Sequence, residues 1–204
     1  YSHDGGKTYG FVKQTLIDAG YPYVTEKVMN TKDYSSIPQS RPRIYIVAFR
    51  DENDYRNFTF PDKTSYVVPI NSLIDRTTPV PNKYYYTPEN FKHYDLLIKE
   101  VTDYHSIYQF RRSYFRMNKN HLCPALTASM GRGGHNVPII IDDFGHRKLT
   151  PEECLKFQGF PENFIFPKIG DSYKYMQIGN SVTIPVVESI ANNIVYAMDS
   201  TDHS

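Results

Sequence analysis

The sequence predicts an α/β fold in two parts, a sheet flanked by helices and a smaller, irregular β-rich module inserted into it. Three observations predict it. Residues 186–195 carry apolar side chains at every fourth position, which is typical of a helix with one buried face. Residues 44–49 are apolar at consecutive positions, as in a strand covered on both faces. Three prolines, Pro79, Pro81 and Pro88, mark a change of composition, so we place a boundary near Pro81.

The boundaries divide the chain into residues 1–80, 81–145 and 146–204, and the first and last segments are predicted to form one domain. The elements of the first segment are a helix over residues 7–19, strands over 23–29 and 43–49, a polar connection over 51–62 and a linker or short helix over 67–76. The middle segment is predicted to contain a hairpin turn at residues 118–120 and a strand over residues 137–142.

Two helix starts are predicted in the last segment. Thr150 is a natural N-cap, Pro151 suits the first helical position, and Glu153 completes a Thr-x-x-Glu capping box. A tight polar turn, Gly-Asn-Ser at residues 179–181, precedes the final helix, whose first turn accommodates Pro185. Such a turn is predicted either to cap that helix or to hold a small polar ligand at its positive end.

A candidate anion or base receiver lies at the start of the strand over residues 43–49. Gln39, Arg41 and Arg43 alternate, so they are expected to point the same way. Two guanidiniums and an amide that converge on one spot suit a phosphate or the edge of a base. The alternative is ordinary surface charge at the end of a strand.

The charge distribution indicates a nucleic-acid partner, although the net charge is only +1. Residues 104–141 contain five Lys or Arg and no Asp or Glu, and aromatic side chains lie between the charges. Such a mixture suits phosphate contact and base stacking. The candidate DNA-binding residues are Arg111, Arg112, Arg116, Lys119, Thr127, Arg132, Gly133, Gly134 and His135. The alternative for the Gly-rich part is a flexible solvent loop.

Taken in order, these blocks resemble the C-terminal part of the cytosine-5 DNA methyltransferases. The family has a Q-x-R-x-R strand, a variable recognition region, an R-x-L-T-P-x-E-x-x-x-x-Q-G-F-P segment and Q-x-G-N-S-V before its last helix. The chain has Gln39, Arg41 and Arg43, then residues 147–161 and 177–182. Residues 2–21 resemble the helix after the family's Glu-Asn-Val segment. Four separated motifs in the same order make the resemblance specific.

The resemblance implies the C-terminal part of a Rossmann-like S-adenosylmethionine-dependent methyltransferase sheet, with a target-recognition domain at residues 81–145. It implies methyl transfer from S-adenosylmethionine to C5 of a cytosine flipped out of double-stranded DNA. Arg43 is expected to donate to the cytosine O2, with Gln39 and Arg41 in support. The residues expected at the amino-acid end of the cofactor are Asn180, Ser181 and Val182. The family's phosphate-binding threonine is replaced by Ala125, with Thr127 as a possible substitute.

The resemblance also identifies what this chain lacks. The family's Gly-rich cofactor loop, Pro-Cys nucleophile and Glu-Asn-Val acid belong upstream of the matched region. Cys123 precedes a proline rather than following one, and Cys154 belongs to the capped helix. We therefore expect the chain to be inactive alone and to need an N-terminal catalytic segment or subunit. A restriction endonuclease is a further expected functional partner.

Two other functions remain open on sequence alone, a non-catalytic DNA-binding subunit or remnant and a tRNA-methylating relative. A zinc site formed by His105, His121, Cys123 and His135 would lack any standard ligand spacing, so no metal is expected. No segment reads as a membrane span or a secretory signal, which predicts a cytoplasmic, nucleoid-associated bacterial protein.

Overall fold

The computed structural model describes residues 3–132 and 136–200. The elements of the N-terminal part are α1 (Lys7–Asp18), β1 (Tyr23–Asn30), α2 (Thr31–Tyr34), β2 (Gln39–Ser40), β3 (Pro42–Phe49) and α3 (Glu52–Asn57). The predicted first helix and both predicted strands are therefore confirmed. The segment predicted as a polar connection contains α3, because the Asp51 side chain accepts the N–H groups of Asn53 and Asp54 as an N-cap.

The rest of the chain continues with α4 (Tyr94–Glu100), β4 (Tyr108–Arg111), β5 (Tyr114–Met117), β6 (Cys123–Pro124), β7 (Ile139–Asp142), β8 (Gly145–Lys148), α5 (Pro151–Lys156), α6 (Asp171–Asn180) and α7 (Ile184–Asp199). The helices α4 and α6 were not anticipated from the sequence. Within the described residues, no helix combines the length and the apolar character needed to cross a lipid bilayer.

Strands β1 and β3 form an antiparallel ribbon that packs one face against α7. The buried face includes Met29 and Val47, which share a hydrophobic cluster with Val186 of α7. On the strands, Val28 and Ile44 are cross-strand partners and are 50% and 41% exposed. The expectation that β3 is covered on both faces is therefore wrong for the part of the chain that the structure describes.

The middle segment is built on a four-stranded sheet in the order β5-β4-β7-β8. Strands β4 and β5 are joined by a tight turn in which Arg112 has a left-handed φ of 55°. The hairpin is therefore not at residues 118–120, where Lys119–His121 form a short 3-10 turn. Strand β8 pairs with β7, so the predicted boundary after residue 145 falls inside a strand of this sheet.

Three hydrophobic clusters hold the described part of the chain together. One contains β1, β3 and α7 residues and lies outside residues 81–145, whereas a second lies wholly within those residues and includes Phe91, Leu97 and Phe115. The third joins the two parts, because it contains Ile70 and Ile178 as well as residues of the middle segment. The domain boundary near Pro81 remains a prediction. Residues before and after Pro81 contribute to the same hydrophobic cluster.

The helix start predicted at Thr150 is confirmed in full. The Thr150 hydroxyl accepts the Glu153 N–H, and the Glu153 carboxylate accepts the Thr150 N–H. Gly159 ends the segment with a left-handed φ of 73°. Helix α7 buries Val186 and Ile190 as predicted, but Val195 is 55% exposed, so its apolar surface is only partly covered.

Candidate active site and nucleic-acid interface

The Arg41 side chain is buried and joins three segments of the chain. Its Nη1 donates to the carbonyl of Leu126, and its Nη2 donates to the carbonyls of Gly179 at 3.0 Å and Ser181 at 2.7 Å. Burial lowers the pKa of Arg41 to about 10, and the neighbouring charge of Arg43 contributes in the same direction. A buried guanidinium whose two terminal nitrogens bond main-chain oxygens is a positioning group rather than a ligand receiver.

The Gln39 side chain is also used internally. Gln39 is 0% exposed, and its Nε2 donates to the carbonyl of Phe157 and lies 3.4 Å from Gln158 Oε1. Strand β2 pairs in parallel with β6, which places Gln39 opposite Cys123. The expected convergence of Gln39, Arg41 and Arg43 on one spot is therefore wrong, because β2 and β3 are separate strands and the alternation does not continue across Arg41.

Arg43 differs from the other two residues of the motif because it is exposed. Its Nη1 donates to the carbonyl of Pro42 at 2.8 Å, and in the described part of the chain it has no acidic partner. The remaining guanidinium donors face solvent beside buried Arg41. Arg43 is thus the member of the motif whose guanidinium is accessible to a ligand.

The Gly-Asn-Ser segment is the end of a helix rather than a turn. Gly179 and Asn180 are the last residues of α6, and Thr183 is the N-cap position of α7. A Cβ added at Gly179 would overlap the backbone of Thr127 and Ala128, so glycine is required for this close approach. Helix α6 therefore packs directly against residues 126–128 of the predicted target-recognition region, which we call the recognition segment.

The three residues predicted to hold the cofactor lie together at this helix end. Asn180 is exposed, Val182 is 50% exposed, and Ser181 is half-buried with its Oγ donating to the carbonyl of Ile178 at 2.7 Å. Among the described residues, the Asn180 side chain has no hydrogen-bond partner. The adjoining backbone is fixed because Arg41 holds the carbonyls on either side of Asn180.

The predicted DNA-binding side chains are exposed where the structure describes them. Three of the cations lie on the β4–β5 hairpin, and the others follow it in chain order: Arg111, Arg112, Arg116, Lys119 and Arg132. The Thr127 hydroxyl is exposed and lies 2.8 Å from Ser129 Oγ. Gly133, Gly134 and His135 lie outside the described residues. Gly131 packs against the backbone of Ser172 in α6.

Sequence reasoning missed Gln109, which lies between two of these cations. Its Oε1 accepts hydrogen bonds from Arg111 Nη2 at 2.9 Å and from Arg116 Nη2 at 2.8 Å. Gln109 and Arg116 are cross-strand partners, and Arg111 follows two positions along the same face. The sequence shows that Gln109 and Arg111 lie on the same face of a strand. That Arg116 lies opposite Gln109 follows only once the hairpin turn is placed between β4 and β5.

Arg147 anchors the return of the chain from the middle segment. It is fully buried, donates to Asp142 Oδ2 at 2.5 Å, and makes a bidentate pair with Glu153 at 2.7 and 2.8 Å. Burial alone would lower the pKa of Arg147, but the hydrogen bonds and charges of Glu153 and Asp142 raise it above its ordinary value. This cluster ties β8 to α5.

Neither cysteine has the properties of a nucleophile. Cys123 and Cys154 are both buried, and burial raises the pKa of each thiol well above its ordinary value. Over residues 3–132 and 136–200, no three His, Cys, Asp or Glu side chains are grouped so that they could hold a metal ion.

The family model for C-5 cytosine-specific DNA methylase matches residues 1–196. The chain belongs to this family. The prediction from the Q-x-R-x-R, LTPEE and GNSV blocks is confirmed. The cofactor of the C-5 cytosine methylases is S-adenosylmethionine, as the sequence predicts.

Curated relatives of this C-5 cytosine methylase chain are type II methyltransferases. It is 44% identical over 196 residues to M.Bsp6I from Bacillus sp. (strain RFL6), covering 96% of the chain and 62% of the relative. It is 30% identical over 200 residues to M.SsoII from Shigella sonnei, covering 97% of the chain and 51% of the relative. The chain therefore spans between half and two thirds of the length of these relatives.

Solved structures support the fold assignment. The chain matches the Entamoeba histolytica methyltransferase EhMeth with a TM-score of 0.65 at 18% identity, covering 94% of the chain and 59% of that structure. It matches the S. pombe Dnmt2 methyltransferase with a TM-score of 0.66 at 15% identity, covering 96% of the chain and 65% of that structure. The α/β methyltransferase fold predicted from the sequence is confirmed.

Proposed function

We propose that this chain is the target-reading part of a DNA (cytosine-5-)-methyltransferase, which transfers a methyl group to C5 of a flipped cytosine in a short duplex site. The observation that carries the proposal is the contrast between the neighbouring residues Arg41 and Arg43. Arg41 ties the helix end at Gly179 to the recognition segment at Leu126, while Arg43 stands exposed beside it. Arg43, the proposed donor to the base, thus lies next to the place where Arg41 connects the predicted cofactor-binding and DNA-binding segments.

Arg43 would act on the base through hydrogen bonds to the cytosine O2. A cytosine must leave the stack before its C5 and C6 can be reached. Addition of a nucleophile at C6 moves negative charge onto the ring, and a fixed cationic donor at O2 stabilises that charge as an oxyanion-hole donor does. Arg41 and Gln39 would act indirectly, because they hold the backbone that carries Arg43.

The chain's own residues fit one end of the cofactor. Asn180 offers an amide with both donor and acceptor atoms, and it is exposed on a backbone fixed by Arg41. These groups suit the ammonium and carboxylate of the amino-acid end of S-adenosylmethionine. Ser181 and the Val182 backbone would line the same end. When bound, the cofactor supplies an electrophilic methyl group.

The nucleophile and the acid at N3 would come from a further segment of the protein. The two cysteines of this chain are buried and hold their protons, and Cys154 lies within α5. The exposed apolar surface fits the same proposal. Helix α1 has no buried residue, and Phe11 is 75% exposed. A catalytic segment packed on α1 and the open face of β1 and β3 would cover this surface.

Double-stranded DNA is the proposed substrate, in keeping with the type II methyltransferases among the relatives. Exposed cations on the hairpin and beyond it give the chain a phosphate-binding surface, and association is expected to weaken steeply with salt. The similarity to type II enzymes also supports a restriction endonuclease of the same specificity as the functional partner.

Labelled-methyl transfer from S-adenosylmethionine tests the proposal. We expect no transfer to duplex DNA by the chain alone, and transfer once the upstream coding segment is restored. Arg43→Met in the restored protein should lower transfer by about 10²- to 10³-fold while duplex binding persists. Transfer by the isolated chain would contradict the need for a second segment. Transfer to tRNA in preference to duplex DNA would replace the proposed substrate.

A further inference from the structure

The β4–β5 hairpin has two chemically different faces. One face carries Phe110 and Phe115, whose rings lie 4.8 Å apart and which pack into the hydrophobic cluster of the middle segment. The opposite face carries Gln109, Arg111 and Arg116 with Tyr114. The apolar face holds the hairpin in place, so the arginine face is free for binding.

The arginine face is ordered by a single neutral acceptor. Gln109 is 8% exposed, and its Oε1 receives one N–H from Arg111 and one from Arg116. Neither arginine has an ion pair with an acidic side chain among the described residues. Each guanidinium has five N–H donors and gives one to Gln109, so most of its donors remain available. A glutamine orients the two groups without neutralising their charge.

We infer that Arg111 and Arg116 read guanine bases in the major groove, and that Gln109 is the residue that positions them. The inference rests on the proposed function and names the base that its recognition module selects. A two-stranded ribbon fits the major groove of B-form DNA, where guanine presents O6 and N7 as paired acceptors. Two N–H groups of one arginine guanidinium can donate to both acceptors at once. The major-groove edges of the other bases match this pair of donors less well.

The surroundings of the pair suit a base edge. A depression of about 540 Å³ beside the hairpin is lined by Phe110, Arg111, Arg112, Tyr114, Arg116 and Asn136. Ordering the two side chains before binding also lowers the entropy that each would lose on the DNA. A guanidinium that serves only phosphates needs no such ordering, because phosphate contact tolerates many geometries.

Two nearby cations provide the contrast. Arg112 lies at the tip of the turn and Lys119 lies beyond β5, and neither is bound to Gln109. They are expected to contact phosphates and to contribute to affinity without sequence preference. The hairpin therefore carries both kinds of contact, with specificity confined to the pair held by Gln109.

Selection of bound duplexes from a random library by the full chain tests the inference. We expect the enriched site to contain guanines at fixed positions. Replacing one such guanine by 7-deazaguanine removes N7 and should weaken binding roughly 10- to 100-fold. Arg111→Lys, and separately Arg116→Lys, should remove the preference at one guanine each while the salt dependence of binding persists, because charge is kept and the fork is lost.

Gln109 is tested by two variants. Gln109→Leu removes the acceptor, and it should lower the ratio of specific to non-specific duplex affinity by roughly 10-fold or more. Gln109→Glu keeps an acceptor and should retain the base preference. Lys119→Ala is the matched control, and it should weaken binding to all duplexes alike. Guanine preference that survives both arginine substitutions overturns the inference and leaves the proposed function standing. Absence of any duplex binding, even at low salt, overturns both.

Discussion

Arg41 donates a 3.0 Å hydrogen bond from its Nη2 to the carbonyl of Gly179, while its Nη1 reaches the carbonyl of Leu126. Gly179 precedes the residues proposed for the cofactor, and Leu126 precedes Thr127 in the segment proposed for DNA. One buried guanidinium thus fixes the spacing between two binding segments that are 53 residues apart in the chain, from 126 to 179. The spacing depends on the fork geometry of arginine, which lysine lacks.

Replacing Arg41 by methionine is expected to destabilise the fold. Arg41→Met leaves the carbonyls of Leu126, Gly179 and Ser181 without their donor in a buried place, which should cost about 2–4 kcal/mol of unfolding free energy. Urea unfolding followed by circular dichroism measures it. A loss below about 0.5 kcal/mol, the range of ordinary surface substitutions, would contradict the bridging role.

Replacing the exposed neighbour is expected to have the opposite profile. Arg43→Met should change the unfolding free energy by less than about 0.5 kcal/mol, because Arg43 is exposed and, among the residues that the structure describes, bonds only the adjacent Pro42 carbonyl. In the restored enzyme it should lower kcat for methyl transfer by about 10²- to 10³-fold. Equal activity in Arg43→Met and the unmodified enzyme would exclude Arg43 as the donor to the base.

The approach of α6 to the recognition segment predicts an unfavourable effect of a single methyl group. Gly179→Ala would place its Cβ against the backbone of Thr127 and Ala128, so one segment must move. A loss of about 1–3 kcal/mol is expected, which outweighs the gain of up to about 1 kcal/mol that alanine gives within a helix. Thermal unfolding of Gly179→Ala and the unmodified chain measures whether the substitution destabilises or stabilises the fold.

Gly10 is the matched control for that experiment. It lies within α1, and a Cβ there meets no atom of the described residues within 4 Å. Gly10→Ala should therefore stabilise the chain by up to about 1 kcal/mol. Stabilisation by both substitutions would mean that α6 and the recognition segment are not in close contact.

Local signals in the sequence were sufficient for the elements whose partners are close along the chain. The capping box of Thr150 and Glu153 needs only three residues of spacing, and the structure contains both of its hydrogen bonds. Strands β1 and β3 were predicted from their own apolar patterns. The order of the motifs along the chain was enough to identify the family, because that order can be read without knowing which residues contact each other in the fold.

Partners distant in sequence could not be predicted in the same way. Gln39 and Arg41 bind carbonyls of Phe157 and Leu126, which are more than 80 residues away. The sequence predicts a turn at residues 179–181, because glycine has a flexible backbone and asparagine and serine have short polar side chains. Packing of the end of α6 against Thr127 overrides that preference, and nothing local to residues 179–180 indicates it.

Asp171 is expected to make stability depend on acidic pH. Partial burial opposes ionisation of this carboxyl group, but hydrogen bonds from Lys83 at 2.6 Å and Tyr84 at 2.9 Å lower its pKa. A lowered pKa means that the stabilisation is present above the unfolded value of about 4 and is lost as pH falls through the folded value. Because Lys83 is largely exposed, the contribution should stay below about 1 kcal/mol.

Comparison of the chain with Asp171→Asn between pH 6 and pH 2 measures this contribution. The chain should be the more stable of the two at pH 6, and the difference should shrink as pH falls below about 4. A difference that is constant with pH would assign the effect of Asp171 to hydrogen bonding alone.

The cluster around Arg147 predicts that two substitutions together cost less than their sum. Arg147→Met leaves the Asp142 and Glu153 carboxylates buried without a cation, which should cost about 3–5 kcal/mol. Adding Glu153→Gln removes one uncompensated charge, so the double variant should be more stable than Arg147→Met alone. Lys174→Met, which disrupts a 3.4 Å pair with largely exposed Glu152, should cost less than about 1 kcal/mol. Additive losses at Arg147 and Glu153 would mean that the two residues stabilise the β8–α5 joint independently, against the bidentate geometry of their contact.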